Sequence, residues 1–194
     1  MEKKEIKNKA IQLGWKANEY LIIGDLEKAR ATYRQSYKLL EEIEEKRIRA
    51  VVASNLGLIA VRLKNFEEAI VWFKRAYDLY KSLNDLRGQA EQLGNLGSVY
   101  RDKQKYDKSL EYYENALKVF EQLDNRLGIA NQLTNIAYIH VMKDSPQEAL
   151  KLYKRALPIF ESLEEKDKAE YVKQNIKVLI KEINKNKQDE RTEI

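Results

Sequence analysis

Apolar residues recur three and four positions apart along nearly the whole chain, in stripes interrupted at short polar points. That spacing predicts amphipathic helices. Leu93, Leu96, Gly97 and Tyr100 form one stripe. Leu110, Tyr113, Ala116, Leu117, Phe120 and Leu123 form the next, with a break near Lys103 to Lys105. Corresponding breaks fall at Gly24-Asp25, Lys64-Asn65 and Asp144-Ser145. Two of these carry helix-start chemistry. Asn65 can cap a helix with Glu68 three residues on, and Ser145-Pro146-Gln147-Glu148 places Ser at the cap, Pro at the first position and Glu at the third. Pro158 lies inside the stripe that follows; it lacks a backbone donor and predicts a kinked or shortened helix.

Set against itself at a period of about 40 residues, the chain aligns column after column. Asn55, Asn95, Asn135 and Asn175 fall in register, as do Leu56, Leu96 and Ile136. Small residues recur as Gly57, Gly97, Ala137 and as Ala29, Ala69, Ser109, Ala149. Aromatic residues recur as Tyr33, Phe73, Tyr113, Tyr153, with Ser36, Ala76, Ala116, Ala156 three positions later. Each unit therefore reads as helix, tight turn, helix, and the small residues allow close backbone approach. The units span about 10–49, 50–89, 90–129 and 130–169. A last helix over about 169–183, with Lys173, Lys177 and Lys181, keeps the Asn175 phase and suits the polar cap that a repeat array needs. Residues 1–186 read as one domain. The end, from Asn184 to Ile194, reads as polar and frayed, with 187–194 as a polar tail.

Composition narrows the chemistry. The 194 residues are 43% hydrophobic, too apolar for a disordered chain, and seven glycines with two prolines are too few for the turns of an all-β fold. With no cysteine and one histidine, disulfides, thiol nucleophiles and an ordinary zinc site drop out. No stretch is apolar enough to span a membrane, and Met1 to Ala10 has no apolar signal region, so a cytoplasmic protein is expected. The formal charge of +5 is dispersed in mixed runs such as Glu41-Glu42-Ile43-Glu44-Glu45-Lys46-Arg47, which read as solvated helix faces and not as a nucleic-acid surface. No nucleophile, base and metal constellation stands out, so neither catalysis nor a cofactor is expected.

The columns resemble the tetratricopeptide repeats, whose pattern runs large apolar, Leu-Gly, Tyr, Ala, aromatic, Ala. The third unit carries it as Leu93, Leu96-Gly97, Tyr100, Ser109, Tyr113 and Ala116, and the second as Ala53, Leu56-Gly57, Ala60, Ala69, Phe73 and Ala76. The fourth has Leu133, Ile136-Ala137, His140, Ala149, Tyr153 and Ala156; the first, with Leu13, Lys16-Ala17 and Tyr20, is more degenerate. The common unit is about 34 residues, and these longer ones are similar to the repeats of kinesin light chains, spindle-orientation adaptors and bacterial peptide-pheromone receptors. The resemblance implies an all-α, right-handed superhelical solenoid of four helix-turn-helix repeats plus a capping helix. It also implies that the first helix of each unit lines a concave groove.

Carried over by position, that groove presents Trp15, Asn18, Asn55, Leu58, Arg62, Asn95, Arg101, Asn135, Tyr138, Met142 and Asn175 as peptide-binding candidates. Glu91, Asp102 and Glu182 offset Arg62, Arg101 and Lys181, so the groove is nearly neutral and the basic excess lies elsewhere. Asparagine is an indifferent helix former, yet it recurs at one helical phase. A carboxamide can satisfy the amides of an extended peptide, as similar asparagines do in related repeats; alternatively the column bonds within the scaffold. Trp15 replaces the recurring Asn and is either a binding anchor or packed on its neighbour helix, while Trp72 and His140 read as packing residues. A carboxylate clamp of the chaperone-tail type does not fit. Asn18 and Asn55 stand at its asparagine positions, but Gly14, Glu91 and Asn95 stand at its basic ones. The leading reading is a non-catalytic adaptor for an extended or helical segment of a protein partner. A self-associating scaffold, hence a homo-oligomer, is the alternative. A receptor for a short free peptide is a lesser one, because only about nine residues precede the first unit where such receptors carry a helical effector region.

Overall fold

The computed structural model describes residues 2–192, apart from the side chains of residues 187 and 189–192. Among the described residues there are nine α-helices and no strand: α1 (Lys3–Ile22), α2 (Leu26–Glu42), α3 (Lys46–Arg62), α4 (Phe66–Ser82), α5 (Leu86–Asp102), α6 (Tyr106–Gln122), α7 (Arg126–Met142), α8 (Pro146–Ser162) and α9 (Lys166–Thr192). From α2 to α8 every helix has 17 residues.

The regularity comes from the turns. Each places one residue in the left-handed region: Gly24 (φ 81°), then Glu44, Lys64, Asn84, Gln104, Asp124, Asp144 and Glu164 with φ between 48° and 59°. That geometry turns the chain back on itself so that the next N–H reaches a carbonyl five residues earlier, the Schellman bond. Asp25 N donates to Tyr20 O at 2.9 Å, Asn65 N to Ala60 O at 2.8 Å, and Asn125 N to Phe120 O at 2.9 Å. The residue that closes one helix then opens the next. Oδ1 of Asp25, Asn65, Asp85 and Asn125 accepts from the N–H three residues on, as N-caps do.

The helices group into two compact units, one ending at Lys103 and the other beginning at Gln104. In the first, α1 to α5 pack in chain order, each on the next; in the second, α6 to α9 do the same. The first core joins fully buried alanines (Ala10, Ala17, Ala29, Ala50, Ala53) to Tyr33, Leu40 and Leu56. The second joins Ala130, Ala137, Ala149 and Ala156 to Leu133, Tyr153, Phe160 and Val172. Three glycines mark contacts too close for any side chain: a Cβ on Gly57 would lie 2.5 Å from the Phe73 ring, one on Gly88 2.3 Å from the ring of Tyr80, and one on Gly128 2.5 Å from the ring of Phe120. Ser36, where the other units have alanine, is buried and donates to Ala10 O at 2.8 Å. Surface pairs such as Lys7–Glu45 (2.6 Å), Arg34–Glu68 (2.5 Å) and Lys143–Asp107 (2.6 Å) link one hairpin to the next.

Several expectations need correction. Pro158 neither ends nor shortens α8, which reaches Ser162 with the same length as its fellows. The proline sits on the exposed side of the last turn, and buried Phe160 and Ala156 hold that turn in place. Ser145 occupies the cap position of α8 but makes no capping bond; Pro146 at the start of the helix leaves one N–H fewer to satisfy. The first helices of the second to fourth hairpins start at Lys46, Leu86 and Arg126, about four residues ahead of the column-based units. The final helix is longer than 169–183, running from Lys166 to Thr192 and so through most of the segment read as a tail. Residues 193 and 194 of that tail lie outside the described residues.

Candidate functional site

In the first unit, α1 and α3 bring together the residues that the column alignment singled out. A cleft of about 170 Å³ runs between them, lined by Ile11, Gly14, Trp15, Asn18, Val51 and Asn55, with the Tyr33 ring behind. Trp15 is 65% exposed, so it is not packed on a neighbouring helix. Its indole stands at the edge of the cleft as an exposed, largely apolar surface. Leu58 is exposed on the same helix as Asn55, and Arg62 is exposed with no ionic partner among the described residues.

The two asparagines here are joined through a residue not counted among the candidates. The Tyr33 hydroxyl donates to Asn18 Oδ1 at 2.5 Å and accepts from Asn55 Nδ2 at 3.0 Å. One phenol on α2 thus fixes carboxamides on α1 and α3. The clue was legible in principle: the column holding Tyr33 places a hydroxyl between two asparagine phases, whereas its equivalent Phe73 has none. On α5, Asn95 donates to Gln92 Oε1 at 3.4 Å, and Arg101 is tied to neighbouring Asp102 at 2.8 Å, so its charge is locally offset.

In the second unit, Tyr138 and Met142 are exposed one turn apart on α7. Half-buried Asn135 lies one turn before them and makes no side-chain hydrogen bond among the described residues. Asn175 on α9 instead donates back to Tyr171 O at 2.8 Å. Behind them, the hydroxyl of fully buried Tyr153 has no hydrogen-bond partner among the described residues, and neither has Gln132 Oε1. Burial pushes the Tyr153 phenol well above the usual tyrosine range, and the nearby phenols of Tyr171 and Tyr138 add to the effect. The asparagine column is therefore not uniform: Asn55, Asn95 and Asn175 bond within the scaffold, as Asn18 does outside the column, and Asn135 does not.

The remaining conspicuous residues belong to the scaffold. Trp72 is only 7% exposed, donates from Nε1 to Glu68 Oε1 at 3.1 Å and meets Tyr37 edge-on at 5.1 Å between centroids. His140 is half-buried. Among the described residues, no cluster of three or more His, Asp or Glu is placed to hold a metal ion, and no helix is long and apolar enough to cross a membrane.

The tetratricopeptide repeat sequence pattern matches residues 11–82 and again 89–162. The chain belongs to the tetratricopeptide repeat family. Its 20-residue pitch of helix plus turn makes 40-residue hairpins, longer than the common tetratricopeptide unit of about 34. Solved structures with similar folds include the following three. BtubC (BKLC) from P. vanneervenii is 17% identical with a TM-score of 0.70, over 92% of this chain and 82% of that one. Aspartyl phosphate phosphatase F from Bacillus subtilis is 18% identical with a TM-score of 0.79, over 93% of this chain but only 50% of that one. The apo form of RapI is 18% identical with a TM-score of 0.77, over 93% and 72%. At these identities the likeness is one of fold, and the phosphatase name belongs to that protein. No curated protein matches the sequence.

Proposed function

We propose that this tetratricopeptide protein is a non-catalytic adaptor whose first helices bind an extended or helical segment of a partner protein. The observation that carries the reading is the exposure of Trp15 beside the α1–α3 cleft. A large, rigid side chain left 65% exposed loses contact with water favourably only when something covers it, and tryptophan is prominent among binding hot spots. In the second unit, exposed Tyr138 and Met142 supply apolar contact, and Asn135 supplies a carboxamide free to pair with a peptide amide. The fixed Asn18–Tyr33–Asn55 chain still leaves acceptor and donor capacity, and it holds both carboxamides in place before a ligand arrives. Specific residues, not fold analogy alone, thus support peptide recognition, and micromolar affinity, about −8 kcal/mol, suits a contact of this size.

The test is titration of peptides selected from a random display library against the purified protein. Trp15→Ala, or Asn135→Ala with Tyr138→Ala, should weaken binding of the selected peptides by about tenfold. Undiminished binding by both variants would place recognition elsewhere.

A further inference from the structure

Part of the basic excess lies where α2, α3 and α4 of the first unit meet. Two adjoining clefts, of about 520 and 370 Å³, share Tyr37, Glu41 and Arg75. Together they are lined by five cations, Arg34, Lys38, Lys46, Arg49 and Arg75, against two carboxylates, Glu41 and Asp78. Four of the cations, Lys38 among them, lack a close ionic partner among the described residues. Arg75 and Lys46 have no carboxylate within bridging distance among the described residues, and Arg49 meets Glu41 only at 3.8 Å. Arg49 Nε is buried without any hydrogen-bond acceptor. The guanidinium groups are held in place: Arg75 lies 4.9 Å over Trp72, and Arg49 lies 5.7 Å over Tyr37. A guanidinium held over a ring is a planar donor suited to carboxylates.

We infer that this outer cleft of α2, α3 and α4 is a second docking site, specific for an acidic linear segment of a partner protein. Charge complementarity argues for that occupant, since an unpaired, immobilised cation gains most from a desolvated anion. The chemistry also disfavours nucleic acid. Trp72 is buried and offers no stacking platform, while Glu41 and Asp78 interrupt the cations and would repel a continuous phosphate backbone. Carboxylates spaced along a peptide can pass between those acids. The site is independent of the first-helix face, so one chain could hold two segments.

An acetylated and amidated hexaglutamate peptide serves as probe, titrated at low salt into the Trp15→Phe protein, where Trp72 is the one remaining tryptophan and is excited selectively at the red edge of its absorption. Saturable binding with a change in Trp72 emission is expected. Arg75→Gln with Lys46→Gln should weaken it about fivefold or more. Lys118→Gln with Lys154→Gln, which removes equal charge from exposed positions on α6 and α8, should change it less than about twofold. Circular dichroism confirms equal helicity for each variant. No binding, equal loss in both pairs of variants, or tighter binding of a single-stranded oligonucleotide at the cleft would each overturn the inference.

Discussion

Gly57 and Gly14 are both helical glycines, and their surroundings give them opposite roles. A Cβ at 57 would overlap the Phe73 ring, so Gly57→Ala should destabilise the protein by about 1–3 kcal/mol through forced displacement of a core aromatic. At 14 nothing lies within 4 Å, and Gly14→Ala should stabilise it by about 0.5–1 kcal/mol by removing backbone freedom from the unfolded chain. Urea denaturation of the two variants measures both signs. Tyrosines set a second prediction at this scale. Burial pushes the phenols of Tyr33, Tyr37, Tyr80 and Tyr153 above their usual value of 10.0. The folded state binds those protons more tightly than the unfolded one, so their contribution is complete below pH 10 and is lost as the pH rises beyond it. Helicity followed against pH should hold to about pH 10 and then fall, with buried phenols ionising only as the chain unfolds. The columns announced Gly57 because it falls beside leucine in a repeated pair. They did not announce Gly88, whose partner Tyr80 lies on the preceding hairpin, or the Tyr33 hydroxyl, whose two bonds depend on three helices meeting.

The turn is the element in which periodicity and backbone geometry meet. Seven of the eight turns place a residue other than glycine in the left-handed region, at a local cost of about 1 kcal/mol each. The Schellman bonds and the caps that follow offset that cost, which is why the breaks could be located in the sequence although no glycine marked most of them. Lys64→Gly should therefore raise stability by about 0.5–1 kcal/mol without altering α3 or α4, and calorimetry of the purified variant would show the rise in melting temperature. A fall would mean that the lysine's own contacts outweigh the backbone strain. Pro158 shows the converse limit of reading elements from local rules. A proline penalty applies to the isolated helix, but α8 is held by Phe160 and Ala156, and packing prevails in the last turn.

At the scale of the whole molecule, the 40-residue period made the hairpin order legible because each repeat meets chiefly its neighbours, so local columns report most of the core. The site was legible only in part. Alignment placed Trp15, Asn18 and Asn55 together, and α1 and α3 do bring them to one cleft. Whether a given asparagine faces outward or bonds inward depends on the neighbouring helix, and so Asn55 and Asn135 differ although they share a column. The same limit explains why the excess positive charge could be removed from the first-helix face by counting, yet no part of it assigned to the meeting of α2, α3 and α4 without their packing. The most direct test of partner binding by the first helices is a pull-down from native lysate read by mass spectrometry, comparing wild type with Asn95→Ala/Asn135→Ala proteins of matched helicity and melting. A partner held by wild type and lost from the variant is the expected result; a partner held equally by both would contradict recognition through the asparagine row.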